Sequence, residues 1–161
     1  MRSERGTAAA AEINRECPTP PVTVGVRHGG AAWLCPLDRR ELRRALSAMC
    51  MAAGPLGHPV AGVDLFLITD TDMAVANARH LGCMGPTNVL SFPGAPGMAG
   101  TLLLSPDTLE RECLLYGQEP VEHLLRLLAH GMGHLAGLDH GPEMDTLCAA
   151  FEEAAEAGLA Q

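Results

Sequence analysis

Lysine is absent: all eleven basic residues of this 161-residue chain are arginine. Guanidinium and ammonium groups often exchange on surfaces, though not where donor geometry matters, so we read this as a compositional habit of the source genome. Aromatic residues make up 3% of a chain that is 47% hydrophobic, which leaves Leu, Val, Ala and Met to build the core. No run approaches the roughly 18 apolar residues of a membrane span, and the arginine-bearing N-terminus has no apolar stretch of the signal-peptide kind. A soluble, cytoplasmic protein with no membrane partner is expected. The six cysteines, Cys17, Cys35, Cys50, Cys83, Cys113 and Cys148, stand at least fifteen residues apart and form no Cys-x-x-Cys pair. That spacing argues against a disulfide framework and for small core residues in a reducing compartment. Positive charge is short overall, with a net −8. Its distribution is uneven: Glu143, Asp145, Glu152, Glu153 and Glu156 lie late, whereas Arg39, Arg40, Arg43 and Arg44 cluster early. The cluster reads equally as a local basic patch or as a solvated helix face partnered by Asp38 and Glu41.

The length fits one domain with a genuine core. Residues 1–20 are proline-bounded and poor in large apolar side chains, and we expect a disordered tail there, with a single domain over 21–161. Val22 to Val26 alternates as a short strand does, and Gly29-Gly30 breaks the chain after it. Leu37, Leu42, Ala45, Leu46 and Met49 are spaced for a helix from about Pro36 to Ala53, ended by Gly54-Pro55. Val63 to Thr69 is the clearest strand, rich in large apolar residues between Gly62 and Asp70. A helix through Met73, Val75 and Ala76 has N-cap oxygens at Thr69 to Asp72. Thr87 to Phe92 and Thr101 to Leu104 read as two more strands around a Pro- and Gly-rich loop. Ser105-Pro106 starts a helix to about Tyr116, Pro120 opens another, and Pro142 a last one to about Ala157. The fold class is α+β: a small sheet of about four strands covered by helices, of undetermined order.

Three of the seven histidines fall within His130 to His140. The preceding apolar run, Val121, Leu124, Leu125, Leu127, Leu128, Met132 and Leu135, predicts a helix buried on most of its surface. Residues four apart share a face, so His130 and His134 can point at one centre. Gly137 stands where a helix commonly ends in a left-handed turn, which would bring His140 back to the same centre. Three neutral nitrogens with one position open are the ligand set of a catalytic zinc site, one ion per chain. Such an ion lowers the pKa of water toward 7 and polarises a phosphoryl or carbonyl oxygen. Asp139 is the nearest acidic candidate for a base or for orienting a histidine, and equally for a turn cap. His123 lies two turns before His130 and reads as a core or cleft-wall residue.

The spacing matches the metzincin protease motif His-Glu-x-x-His-x-x-Gly-x-x-His at every fixed position except the glutamate, where this chain has Gly131. Without that carboxylate, peptide hydrolysis by the usual route is disfavoured. The remaining pattern, together with Pro86-Thr87-Asn88-Val89-Leu90-Ser91-Phe92-Pro93, closely resembles the YbeY family of bacterial endoribonucleases over roughly residues 22 to 157. The resemblance implies a mixed sheet, with a zinc site at the end of a central helix facing the Thr87 to Pro93 strand. It also implies single-stranded RNA and ribosomal RNA precursors as substrates, the small ribosomal subunit as partner, and action in small-subunit 3′-end maturation and ribosome quality control. His130, His134 and His140 would hold the ion, with Asp139 and Ser91 as catalytic candidates and Thr87 lining the cleft. Two departures stand out: Leu81 replaces a family arginine that is thought to contact phosphate, with Arg79 two residues away, and Thr101 replaces an aspartate. A zinc peptidase using Asp139, and a non-catalytic, metal-stabilised ribosome-assembly factor, are the alternatives.

Overall fold

The computed structural model describes residues 18–27 and 32–161. Residues 1–17 of the expected tail, with Cys17 and the Gly29-Gly30 break, lie outside the described residues. The strands among the described residues are β1 (Val22–Val26), β2 (Val63–Leu67), β3 (Val89–Phe92) and β4 (Gly100–Leu104). The α-helices among them are α1 (Arg39–Ala53), α2 (Asp70–Leu81), α3 (Pro106–Tyr116), α4 (Pro120–Leu135) and α5 (Pro142–Leu159), and a 3-10 turn spans Ala32–Leu34.

Successive strand side chains point to opposite faces, and the burial pattern follows that period. Val63, Leu65 and Leu67 of β2 and Leu102 and Leu104 of β4 are buried on one face. They meet Leu42, Leu46 and Met49 of α1, Leu124, Leu128 and Met132 of α4, and Phe151 of α5 in the main core. On the other face Phe66, Leu90 and Leu103 meet Met73 of α2, forming a smaller cluster with Ile68. The sheet is therefore sandwiched between α1, α4 and α5 on one side and α2 on the other. Its order is β1-β2-β4-β3, with the first three strands parallel and β3 antiparallel to β4. The mixed sheet and α+β class agree with expectation. β3 becomes an edge strand, and its Ser91 sits opposite Leu102 in the register.

Element ends follow local chemistry. Helix α1 begins at Arg39 rather than near Pro36 because Asp38 caps it, accepting from the Arg40 and Glu41 amides at 2.7 and 2.8 Å while the Glu41 carboxylate accepts from the Asp38 amide at 2.7 Å. β2 stops at Leu67, and Thr69 turns instead to cap α2. β3 starts two residues after Thr87 because Asn88 uses its side-chain oxygen to accept from the Val89 amide at 2.7 Å. Cys50 and Cys113 are buried and Cys35 and Cys148 partly so, but Cys83 is exposed in the loop after α2 and is no core residue. All five are free thiols.

Asp70 ties α2 to α3. Its carboxylate accepts from Ser105 Oγ at 2.6 Å, Thr108 Oγ1 at 2.7 Å and the Arg111 guanidinium at 2.9 Å. Burial pulls its pKa upward, but these donors and the Arg111 charge together hold it below the ordinary carboxylate value. The unfolded chain then binds the proton more tightly, so this contribution is present above about pH 4 and is lost as pH falls through the folded value. Ser105 and Thr108 are both buried. Asp70→Ala, which orphans their hydroxyls, is expected to lower stability at pH 7 by about 2–3 kcal/mol in urea unfolding. An unchanged midpoint would show that the tie contributes nothing.

Candidate metal centre

Helix α4 starts on Pro120 after Glu119, whose carboxylate accepts from the Glu122 amide at 2.8 Å. Its middle is held by Leu124, Leu128, Ala129 and Met132, all fully buried. The last two turns carry glycine at both positions where neighbours come closest. A methyl group placed on Gly131 would lie 2.8 Å from Leu102 Cδ2 and 3.2 Å from Ser91 Oγ, and one on Gly133 would lie 3.0 Å from Met144 Cε. The helix thus presses its C-terminal end between the β3-β4 pair and α5.

At Gly137 the backbone turns left-handed, with φ of 87°. The Leu138 amide donates to the Gly133 carbonyl at 3.2 Å and the Gly137 amide to the His134 carbonyl at 3.0 Å, a Schellman end. This turn makes the site in two ways. It returns the chain so that His140 reaches His130, and it places the Leu138 carbonyl 3.0 Å from His134 Nδ1. A carbonyl only accepts, so Nδ1 of His134 carries the proton and its Nε2 lone pair faces the centre.

The three imidazoles converge. His130 Nε2 is 3.2 Å from His134 Nε2 and 3.3 Å from His140 Nε2, and all three ligand atoms lie within 4.8 Å of one another. Nitrogens at the Zn–N distance of about 2.0–2.1 Å on a tetrahedral ion would stand about 3.3 Å apart, so two of the three separations already fit. Burial first, then the neighbouring His134 and His140, lower the His130 pKa below the ordinary histidine value, with Asp145 opposing. A neutral ring at pH 7 keeps its lone pair free.

The site opens into a cleft of about 420 Å³ between β3 and the end of α4. Leu81, Leu90, Ser91, Phe92 and Leu138 line it beside His130 and His134, and Asp139 stands at its rim. Asp139 is exposed and makes no hydrogen bond to a histidine of the triad; the partner of His134 is a backbone carbonyl, which no side-chain pattern reveals. Ser91 is half-buried on β3, next to Gly131. Arg79 is exposed near the end of α2 and does not line the cleft, while Leu81 does.

His123 is a core residue. Its Nε2 lies 2.7 Å from Glu112 Oε2, and the same carboxylate accepts from Asn88 Nδ2 at 3.1 and 3.2 Å. Asn88 in turn holds the Val89 amide. This chain of contacts across α4, α3 and the start of β3 fixes the cleft wall, and sequence spacing alone did not indicate it.

A mixed four-stranded sheet with a histidine triad at the end of a buried helix, opening on the sheet's antiparallel edge, defines a class of small α+β proteins built around a candidate metal site. Residues 37–156 match the family model described as endoribonuclease YbeY. Proteins named endoribonuclease YbeY from Nitratidesulfovibrio vulgaris and Oleidesulfovibrio alaskensis are 47% and 41% identical to this chain; the alignments cover 81% and 73% of it and 90% and 83% of the relatives. The chain belongs to the YbeY family. The solution structure of TM1509 from Thermotoga maritima shares the fold, with a TM-score of 0.60 at 20% identity over 84% of this chain and 89% of that one. The family name is that of hydrolases acting on RNA.

Proposed function

We propose that residues 21–161 form one zinc-dependent domain that cleaves single-stranded RNA in the cytoplasm. The reading extends to ribosomal RNA precursors, to 3′-end maturation on the small ribosomal subunit, and to ribosome quality control. The observation that carries it is the convergence of the His130, His134 and His140 nitrogens at 3.2 and 3.3 Å with the tautomer of His134 already set. When bound, the ion supplies Lewis acidity toward a phosphoryl oxygen and acidifies water toward neutral pH.

The chain's own residues do the rest. His134 is oriented by the Leu138 carbonyl, and the burial of His130 keeps its ring deprotonated. Leu138 lies on the cleft wall beside His130 and His134, and Ser91 and Phe92 of β3, with Pro93, form the facing side. In this reading Ser91 supplies a hydroxyl on the cleft wall, and Asp139 at the rim takes up a proton at its carboxylate. Backbone groups of the β3 edge offer hydrogen bonds to a strand of RNA lying along the cleft.

Purified protein should cleave a labelled single-stranded RNA, lose that activity in chelator, regain it with zinc, and leave casein intact. Casein cleavage with intact RNA would transfer the assignment to a peptidase. The non-catalytic assembly factor is favoured by one feature: no arginine among the described residues lines the cleft. It predicts one bound ion, association with small-subunit precursors, and no cleavage.

A further inference from the structure

Among the described residues no guanidinium lines the cleft, so affinity for phosphate is to be sought on other surfaces, because neutralised phosphates dominate binding to nucleic acids. Four of the eleven arginines lie within six residues at the start of α1. Most of the other described arginines are engaged. Arg27 stacks 4.8 Å over the Phe66 ring, Arg111 pairs with Asp70, and Arg126 donates to Gln118 at 2.9 Å. Arg39, Arg40, Arg43 and Arg44 are all exposed, and their side chains make no ion pair or hydrogen bond among the described residues. The neighbouring carboxylates Asp38 and Glu41 each commit one oxygen to the capping box, and the Glu41 and Arg40 amides, helped by the Arg40 and Arg44 charges, hold the Asp38 pKa below its ordinary value without forming an ion pair.

The placement is unfavourable for the helix itself. Arg39 and Arg40 occupy the first turn, where the helix dipole disfavours cations. Arg40, Arg43, Arg44 and Ser47 follow the three- and four-residue spacing of one face, so the charges are aligned along one line. They border a groove of about 510 Å³ between α1 and the end of α5. Gly158 brings the two helices together there: a methyl group on it would lie 3.0 Å from Ala48 Cβ and 3.3 Å from the Arg44 carbonyl oxygen.

We propose that this α1 groove is a second RNA-binding site, holding phosphates of a single strand away from the bond that is cut. The inference rests on RNA being the substrate. α1 packs on β1, while the triad faces β3, and these are opposite edges of the sheet, three strand spacings or about 14 Å apart. A strand that reaches both sites must therefore span several nucleotides, and short RNA would reach only the cleft.

The test is binding of a labelled single-stranded RNA of about 20 nucleotides, in chelator so that cleavage does not intervene. Full-length protein is compared with the Arg40→Gln, Arg43→Gln, Arg44→Gln triple variant; glutamine keeps helix propensity, and the exposed sites leave the core untouched. The expected result is at least a tenfold loss of affinity at low salt and a salt slope shallower by about two, three contacts at roughly 0.7 each. Cleavage of an RNA of about four nucleotides should be unchanged. Equal affinity and slope in the two proteins would overturn the second site even if RNA is cut. Arginine-dependent binding without cleavage would uphold it while removing the nuclease assignment. Binding of polyglutamate in place of RNA, with the same arginine dependence, would overturn it in favour of an acidic protein partner.

Discussion

His134→Ala is expected to lose bound zinc and RNA cleavage together while keeping the fold. His130, His134 and His140 supply every ligand the site has among the described residues, and catalytic zinc centres are typically held by three protein ligands, so none is spare. Removing a partner that only orients a ligand typically costs about 10–100-fold in metal affinity or activity. Removing a ligand should exceed that, and we expect substoichiometric metal after gel filtration and at least a 100-fold fall in kcat/KM. The ring is half-buried at the open end of α4, so truncation opens the cleft rather than the core, and far-ultraviolet dichroism should be unchanged. Metal content by inductively coupled plasma spectrometry and cleavage of labelled RNA are read on the same preparation. A variant with one equivalent of zinc and full activity would mean that the centre is elsewhere. Because the ligands must be deprotonated, wild-type metal affinity should also weaken in acid, and the lowered pKa of His130 delays its share of that loss to lower pH.

That experiment is legible in the sequence because its determinants are local. The i, i+4 pair, the apolar period of α4 and a glycine where the chain must turn left all lie within one short stretch, and local geometry alone makes them converge. The strands were readable for the same reason, since β2 and β4 carry their alternation in five residues each. What remained hidden depends on distant or backbone atoms. The insertion of β4 between β2 and β3 is decided by crossovers and not by any strand's own pattern. The carbonyl that orients His134 belongs to Leu138, whose side chain gives no sign of the role. The link from His123 through Glu112 to Asn88 joins residues eleven and twenty-four positions apart, so no periodicity contains it. Cys83 was misplaced because composition gives the cysteines one common reading, while exposure is decided position by position.

Gly131→Glu, which restores the metalloprotease motif, is expected to destabilise the protein strongly and to create no peptidase. In a helix interior glycine is worth about 1 kcal/mol less than alanine, so a substitution would gain stability wherever space allowed. Here there is none: Cβ alone would approach Leu102 Cδ2 to 2.8 Å, and Leu102 is itself fully buried beneath the helix. Gly131→Ala sets the gain in helix propensity against about 1–3 kcal/mol of overpacking and should be neutral to mildly destabilising. Glutamate adds a carboxylate directed at Leu102 and Ser91, buried without a cation, and the total should exceed about 3 kcal/mol. For a domain of this size that lowers Tm by about 6–12 °C. The glutamate position of the protease motif is thus packed in this fold against the sheet, at Leu102 and Ser91. A stable Gly131→Glu protein that hydrolyses casein would refute that account and with it the separation from the proteases. Loss of stability without peptidase activity would show that the same histidine spacing serves two chemistries because the helix is pressed against different neighbours.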